Sequence, residues 1–227
     1  MTSFGSLEQR EANCRAITVA DSGLKPLCKA VESELSSMQD VLPQLVKQGE
    51  VSAKSTSMLL FTWITAQLTS AFQNTLAGNY SASVSNLRSA FEGTVFLKAY
   101  SIDADADKAW SQDVDYESDK VMPLLRKTLR DSKQFDAYHE HYRNLSKMAH
   151  PYPKVRFLLS KASGEDLMIS RGGYFQKDWA AILLVENLFI ATETLTTVAP
   201  SLDNNSQIAI EKYKSDYSKL SKTLIKK

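Results

Sequence analysis

Apolar residues recur at three- and four-residue spacing over most of this chain, and that recurrence predicts helices. The cleanest run lies between Gly49 and Gly78, where Phe61, Ile64, Leu68, Ala71, Phe72 and Leu76 fall on one face. Gly78-Asn79 supplies a left-handed stop. A new helix from about Ser81 carries Val84, Leu87, Phe91 and Val95 inward, and so short a connection makes the two an antiparallel hairpin. Upstream, a loose helix is expected near residues 7–19. Asp21-Ser22-Gly23 with Pro26 then marks a helix start. Its Leu27, Val31, Leu35, Met38 and Leu42 keep helical spacing until Pro43 kinks or ends it near Val41.

Downstream the texture changes. Residues 103–120 hold seven acidic residues against two lysines, with Trp110 as one apolar anchor. They read as a solvated connection with a short helix at 104–112. A helix follows over 119–130, its true start at Pro123, and another over 133–149. Residues 155–173 form a small irregular or β-hairpin insertion, with strands expected at 155–159 and 167–169 around Gly164. Trp179, Ile182, Leu183, Glu186, Phe189 and Ile190 begin a long, mostly buried helix that Pro200 ends. From Ser206 a last helix carries six lysines against Glu211 and Asp216, with Ile208, Ile210, Tyr213, Tyr217, Leu220 and Leu224 as its apolar side. Trp63, Trp110 and Trp179 fall on apolar positions and are assigned to the core. The fold class is therefore all-α: an antiparallel bundle of about six to eight helices. Residues 1–25 are an N-terminal segment, and residues 26–227 are one helical domain.

Composition narrows the function classes. The chain has 227 residues, is 43% hydrophobic and 23% charged, and has a net charge of +1. Those are the values of an ordinary globular protein. They give no global basic signal for DNA or RNA, so a polyanion would have to meet a local patch. Cys14 and Cys28 lack metal-type spacing and suggest a reduced, cytoplasmic setting. The first residues lack the pattern of a secretory signal. The most apolar runs, 58–66 and 180–191, are short or interrupted by Glu186 and Asn187, so no membrane span is expected. No phosphate-binding glycine loop, nucleophile elbow or dinucleotide fingerprint is present.

Candidate chemistry concentrates in Tyr142-Arg143-Asn144-Leu145-Ser146-Lys147-Met148-Ala149-His150-Pro151. On a helix Arg143 and His150 lie roughly 20° apart in azimuth and about 10.5 Å apart along the axis. His139 adds to the same stripe, with Lys147 or Ser146 beside it. The stripe is either a solvated helix face or a site. As a site, it pairs a guanidinium that holds a phosphate with an imidazole that exchanges a proton near neutral pH. RNA brings its own nucleophile in the 2′-hydroxyl, so that chemistry needs neither metal nor cofactor. His139 and His141 point about 200° apart on a helix and cannot share one ion, so no metal site is expected. Arg88 and Glu92, at i,i+4, are either an ion pair at the core edge or residues that hold the stripe in place. The lysine-rich end is a solvated face or a modest polyanion contact.

These residues resemble those of HEPN domains. Arg143-Asn144 followed by His150, six residues between arginine and histidine, is similar to the family's signature of arginine, a polar residue and a nearby histidine. Leu87-Arg88-Ser89-Ala90-Phe91-Glu92 and Leu145-Ser146-Lys147-Met148-Ala149-His150-Pro151 look like two segments of bacterial HEPN-like proteins of uncharacterised function. The resemblance covers roughly residues 50–155. It implies a helical bundle, usually a homodimer whose two motifs meet at the interface, and a metal-independent endoribonuclease of toxin or phage-defence type. Arg143 would position the scissile phosphate, His150 would do acid–base chemistry, and Asn144 would orient them. Many relatives have lost catalysis and act as binding modules for RNA, nucleotides or proteins. The insertion after His150 and the two extra C-terminal helices depart from the minimal domain.

Overall fold

The computed structural model describes residues 6–47, 53–102, 126, 132–149, 160–163, 166–169 and 173–225. Among the described residues there are seven α-helices: α1 (Leu7–Ala20), α2 (Lys25–Lys47), α3 (Ala53–Leu76), α4 (Tyr80–Ile102), α5 (Ser132–Ala149), α6 (Lys177–Val198) and α7 (Asn204–Ile225). A two-stranded hairpin, β1 (Ser160–Ser163) with β2 (Asp166–Ile169), lies between α5 and α6. The chain is all-α in class, as its periodicity predicts. The helices expected at 104–112 and, apart from Arg126, at 119–130 lie outside the described residues, as do Trp110 and His150.

The α3–α4 hairpin is the most extensive helix pairing, and its turn follows from its residues. Gly78 takes a left-handed φ of 74°. Its N–H donates to the Thr75 carbonyl and the Asn79 N–H to the Asn74 carbonyl, the paired bonds of a Schellman stop. Phe61, Ile64, Leu68 and Ala71 of α3 and Val84, Leu87, Ala90 and Phe91 of α4 are all buried. Tyr80, at the start of α4, is buried as well. Its hydroxyl accepts from the Gln176 N–H at 2.9 Å and donates to the Gln176 carbonyl at 3.2 Å, tying the starts of α4 and α6 together.

α6 is the centre of the bundle, packed against α2, α3, α4 and α7. Among the described residues it is the one helix long and apolar enough to cross a membrane. Here, however, Leu183, Leu184, Ile190 and Leu195 are buried in the protein core. The polar residues that break its apolar run have partners inside the bundle. Asn187 donates to the Leu68 carbonyl at 2.9 Å, and the buried Thr194 and Thr94 hydroxyls meet at 2.8 Å. Thr192 donates to both oxygens of the buried Glu34 carboxylate on α2.

The structure departs from the pattern at the end of α2 and at three apolar side chains. α2 does not end near Val41 but runs through Pro43 to Lys47. Leu42 and Leu45 pack on the core and Gln44 bonds Ser206 of α7 at 3.1 Å, and these contacts hold the turn that proline weakens. The hairpin pairs Ser160 with Ile169 and Ser163 with Asp166, so the strand expected at 167–169 is present, while the one expected at 155–159 lies outside the described residues. Pairing across the two residues 164 and 165 recruits the residues that flank them directly. Trp63 is 42% exposed, not core, because it lies on the outer side of α3. Ile182 and Ile208 are likewise exposed: each fits the period of its helix but lies on its outer side.

Candidate functional site

α5 has no glycine or proline from Ser132 to Ala149, and its apolar positions make one face. Tyr138 and Leu145 are buried, with Tyr142, Met148 and Ala149 packed beside them on the core. The helix rests mainly on α4. That packing fixes which residues face outward: His139, Glu140, Arg143, Asn144 and Lys147 are exposed, while Ser146 is half-buried.

Polar contacts hold α5 along both flanks. On one, Arg88 of α4 bonds Glu92 at 3.0 Å, donates to the Tyr142 hydroxyl at 3.3 Å, and stacks its guanidinium 5.6 Å from the Tyr142 ring centre. The Arg88–Glu92 pair is thus in contact with the residue next to Arg143, and each of its side chains is about one-fifth exposed. On the other flank His141 lies between Phe91 of α4 and Phe189 of α6, with ring centres 4.8 and 4.7 Å away. Its Nε2 is 2.8 Å from the Glu186 carboxylate. One turn earlier the Tyr138 hydroxyl donates to Glu193 of α6, and Lys98 of α4 reaches both, at 3.2 Å to the phenol and 3.5 Å to the carboxylate. Burial, and then the adjacent Glu193 charge, push the Tyr138 phenol well above its ordinary range. Tyr217 of α7 is pushed up to about 12 by burial and by Glu186, Glu193 and Glu34. Both phenols therefore stay neutral, and the Tyr138 hydroxyl is the donor to Glu193.

The two histidines near the middle of α5 have opposite surroundings. His141 faces inward to α6, whereas His139 is exposed and stacks on Phe135 with ring centres 5.8 Å apart. Arg126 lies over the same Phe135 ring at 5.8 Å. No group of three or more histidine, cysteine, aspartate or glutamate side chains able to hold a metal occurs among the described residues. Cys14 and Cys28 are buried, and burial raises both thiols, Cys28 to about 11. Neither is positioned as a nucleophile.

Arg143 has no ion-pair or hydrogen-bond partner among the described residues, although Asp136 and Glu140 are also exposed on α5. An unpaired guanidinium presents five N–H donors in a fixed fork suited to phosphate. Lys147, one turn on, adds a second cation, and the Asn144 amide lies beside them. Of the residues singled out from sequence, the structure brings Arg88, Glu92, His139, Arg143, Asn144 and Lys147 to α5 or its immediate support. Sequence reasoning missed Tyr142 as the link between Arg88 and α5, and the clasp of Lys98, Tyr138, His141, Glu186 and Glu193. The inward spacing of Tyr138, His141, Tyr142 and Leu145 is the signal that points to the buried face, but the partners on α6 are brought by tertiary packing alone. No protein-family model matches the chain, and neither a curated protein nor a solved structure is significantly similar to it.

Proposed function

We propose that the chain is a metal-independent endoribonuclease of the HEPN type, acting through Arg143, Asn144 and His150. The observation that supports this most is the state of Arg143: exposed and without a partner among the described residues, on a helix clasped from both flanks, one residue from the Arg88-anchored Tyr142. A guanidinium on a fixed helix is placed to hold a phosphate rather than to follow it.

In this mechanism the ribose 2′-oxygen attacks phosphorus while the bond to the 5′-oxygen breaks. The proton leaves the 2′-oxygen and one arrives on the 5′-oxygen, with His150 serving the transfer. Arg143 offsets the charge that grows on the non-bridging oxygens, and Asn144 orients the pair. RNA is the partner, and a homodimer the expected state.

The test is cleavage of single-stranded RNA in the presence of a chelator by wild type, Arg143→Ala and His150→Ala, each checked for folding by circular dichroism. Both exchanges should lower the rate by roughly 10²–10⁴-fold. Equal cleavage by the variants would overturn the assignment. RNA binding without cleavage by wild type, weakened by Arg143→Ala, would instead establish a non-catalytic binding module.

A further inference from the structure

Four side chains of α5 follow one another at four-residue spacing along a single ridge: Phe135, His139, Arg143 and Lys147. Each step is about 6 Å of rise and about 40° of azimuth, so consecutive members lie side by side. From Arg143 onward the ridge is cationic, and before it the ridge is aromatic. The proposed reaction uses Arg143 and leaves the aromatic end without a role.

Phe135 is half-buried and packed on the core, and the exposed Arg126 lies over its ring at 5.8 Å. His139 lies nearly parallel to the same ring, with an interplanar angle of 18° and centres 5.8 Å apart. An anchored phenyl ring thus backs an imidazole that is itself exposed. Among the described residues Phe135 is the one partner of His139, whose nitrogens make no ion pair or hydrogen bond there. His141 differs: both Phe91 and Phe189 lie against its ring. A planar ring has two faces, and His139 gives only one of them to an aromatic neighbour.

A flat π surface one turn from an exposed guanidinium matches the layout of a nucleotide, which carries a planar base and a phosphate on one sugar. The bases of single-stranded RNA stack on aromatic rings, imidazole included. Those of a duplex are already stacked on one another and face inward. We propose that His139, backed by Phe135, is a base-stacking subsite for the nucleotide that adjoins the phosphate held by Arg143. This rests on the RNA reading of Arg143 and extends it to the substrate class. Every base has a π face, so the subsite selects single-stranded over paired nucleotides rather than one base over another. His139 acts through its ring and exchanges no proton.

The probe is a short strand of abasic tetrahydrofuran sugar phosphates with one 2′-O-methyladenosine at its centre, set beside the same strand wholly abasic. Neither carries a 2′-hydroxyl, so calorimetric titration reads binding apart from cleavage. Wild type should bind the adenine strand about 5- to 150-fold more tightly than the abasic one. His139→Ala, at an exposed position, should keep the circular-dichroism melt of wild type and bind the two strands equally. His139→Phe, which keeps a ring and removes both nitrogens, should retain the preference. Should the alanine variant melt lower, His139→Lys removes the ring, keeps a cation and should also bind the strands equally. Wild type that binds both strands equally, or neither, would overturn the subsite. So would a preference that survives in His139→Ala or His139→Lys, or one lost in His139→Phe. The preference in a wild type that cuts no RNA would uphold the subsite and remove only the nuclease reading.

Discussion

At Gly78 the chain passes from α3 toward α4 with a left-handed φ, and a Cβ there would lie 2.4 Å from the Tyr174 carbonyl oxygen and 2.8 Å from the Cys14 sulfur. A backbone oxygen cannot swing aside as the end of a side chain can. That clash adds to the roughly 1–2 kcal/mol that left-handed backbone costs an ordinary residue. Gly78→Ala should therefore lower the unfolding free energy by at least about 2 kcal/mol in a urea titration. Gly23→Ala should stay within about 0.5 kcal/mol of wild type, since its Cβ would meet only side-chain atoms of Asp21 and Lys177, none nearer than 3.2 Å. Equal stability of the two variants would contradict the tight turn. The need for glycine at this turn was legible from Gly78-Asn79 after an apolar run. The inward turn of His141 was not, because an imidazole between two phenyl rings depends on Phe189, which another helix supplies.

Among elements, α1 and α2 are joined by a short turn that also reaches α6. The Asp21 carboxylate accepts from the Gly23 and Leu24 N–H groups and from the Lys177 ammonium, at 2.8, 3.1 and 2.9 Å. The Lys177 bond, and then the two backbone donors, hold its acid dissociation below the ordinary value of 3.8. Because the folded value is the lower one, the stabilisation is fully present above about pH 4 and is lost as pH falls through the folded value. Asp21→Asn should thus melt below wild type at pH 7, with the gap closing in melts taken at progressively lower pH beneath 4. A gap that stayed constant would contradict the linkage. The same scale shows where periodicity suffices. α3, α4 and α6 were legible because each buries a continuous stripe. The end of α2 was not, because Pro43 weakens a turn that Leu42, Leu45 and the Gln44–Ser206 bond hold in place. Nor was the exposure of Trp63, Ile182 and Ile208, since a helical period says which residues share a face but not whether another helix covers it.

In the whole molecule, polar groups join helices that the apolar pattern only places side by side. Glu34 of α2 is buried against Thr192 of α6, whose hydroxyl reaches both carboxylate oxygens at 3.1 and 3.2 Å. Thr192→Val keeps the volume and removes that donor, so thermal and urea unfolding should show a loss of about 1–3 kcal/mol. An unchanged midpoint would mean that the α2–α6 contact does not depend on this bond. The candidate site was legible as a stripe, since Arg143, Asn144 and Lys147 all face outward as their spacing on α5 predicts. The clasp that fixes α5 was not, because Lys98, Glu186 and Glu193 come from α4 and α6 and share no local pattern with Tyr138 and His141. The central claim is that this fixed helix cuts RNA with the substrate's own 2′-hydroxyl and without metal. Its most direct measurement is end-group analysis of a defined RNA incubated with the wild-type protein and a chelator, beside the same sequence in DNA. The account predicts 2′,3′-cyclic phosphate and 5′-hydroxyl ends from the RNA and an intact DNA strand. Intact RNA, or cleavage that needs added magnesium and leaves 5′-phosphate ends, would contradict it.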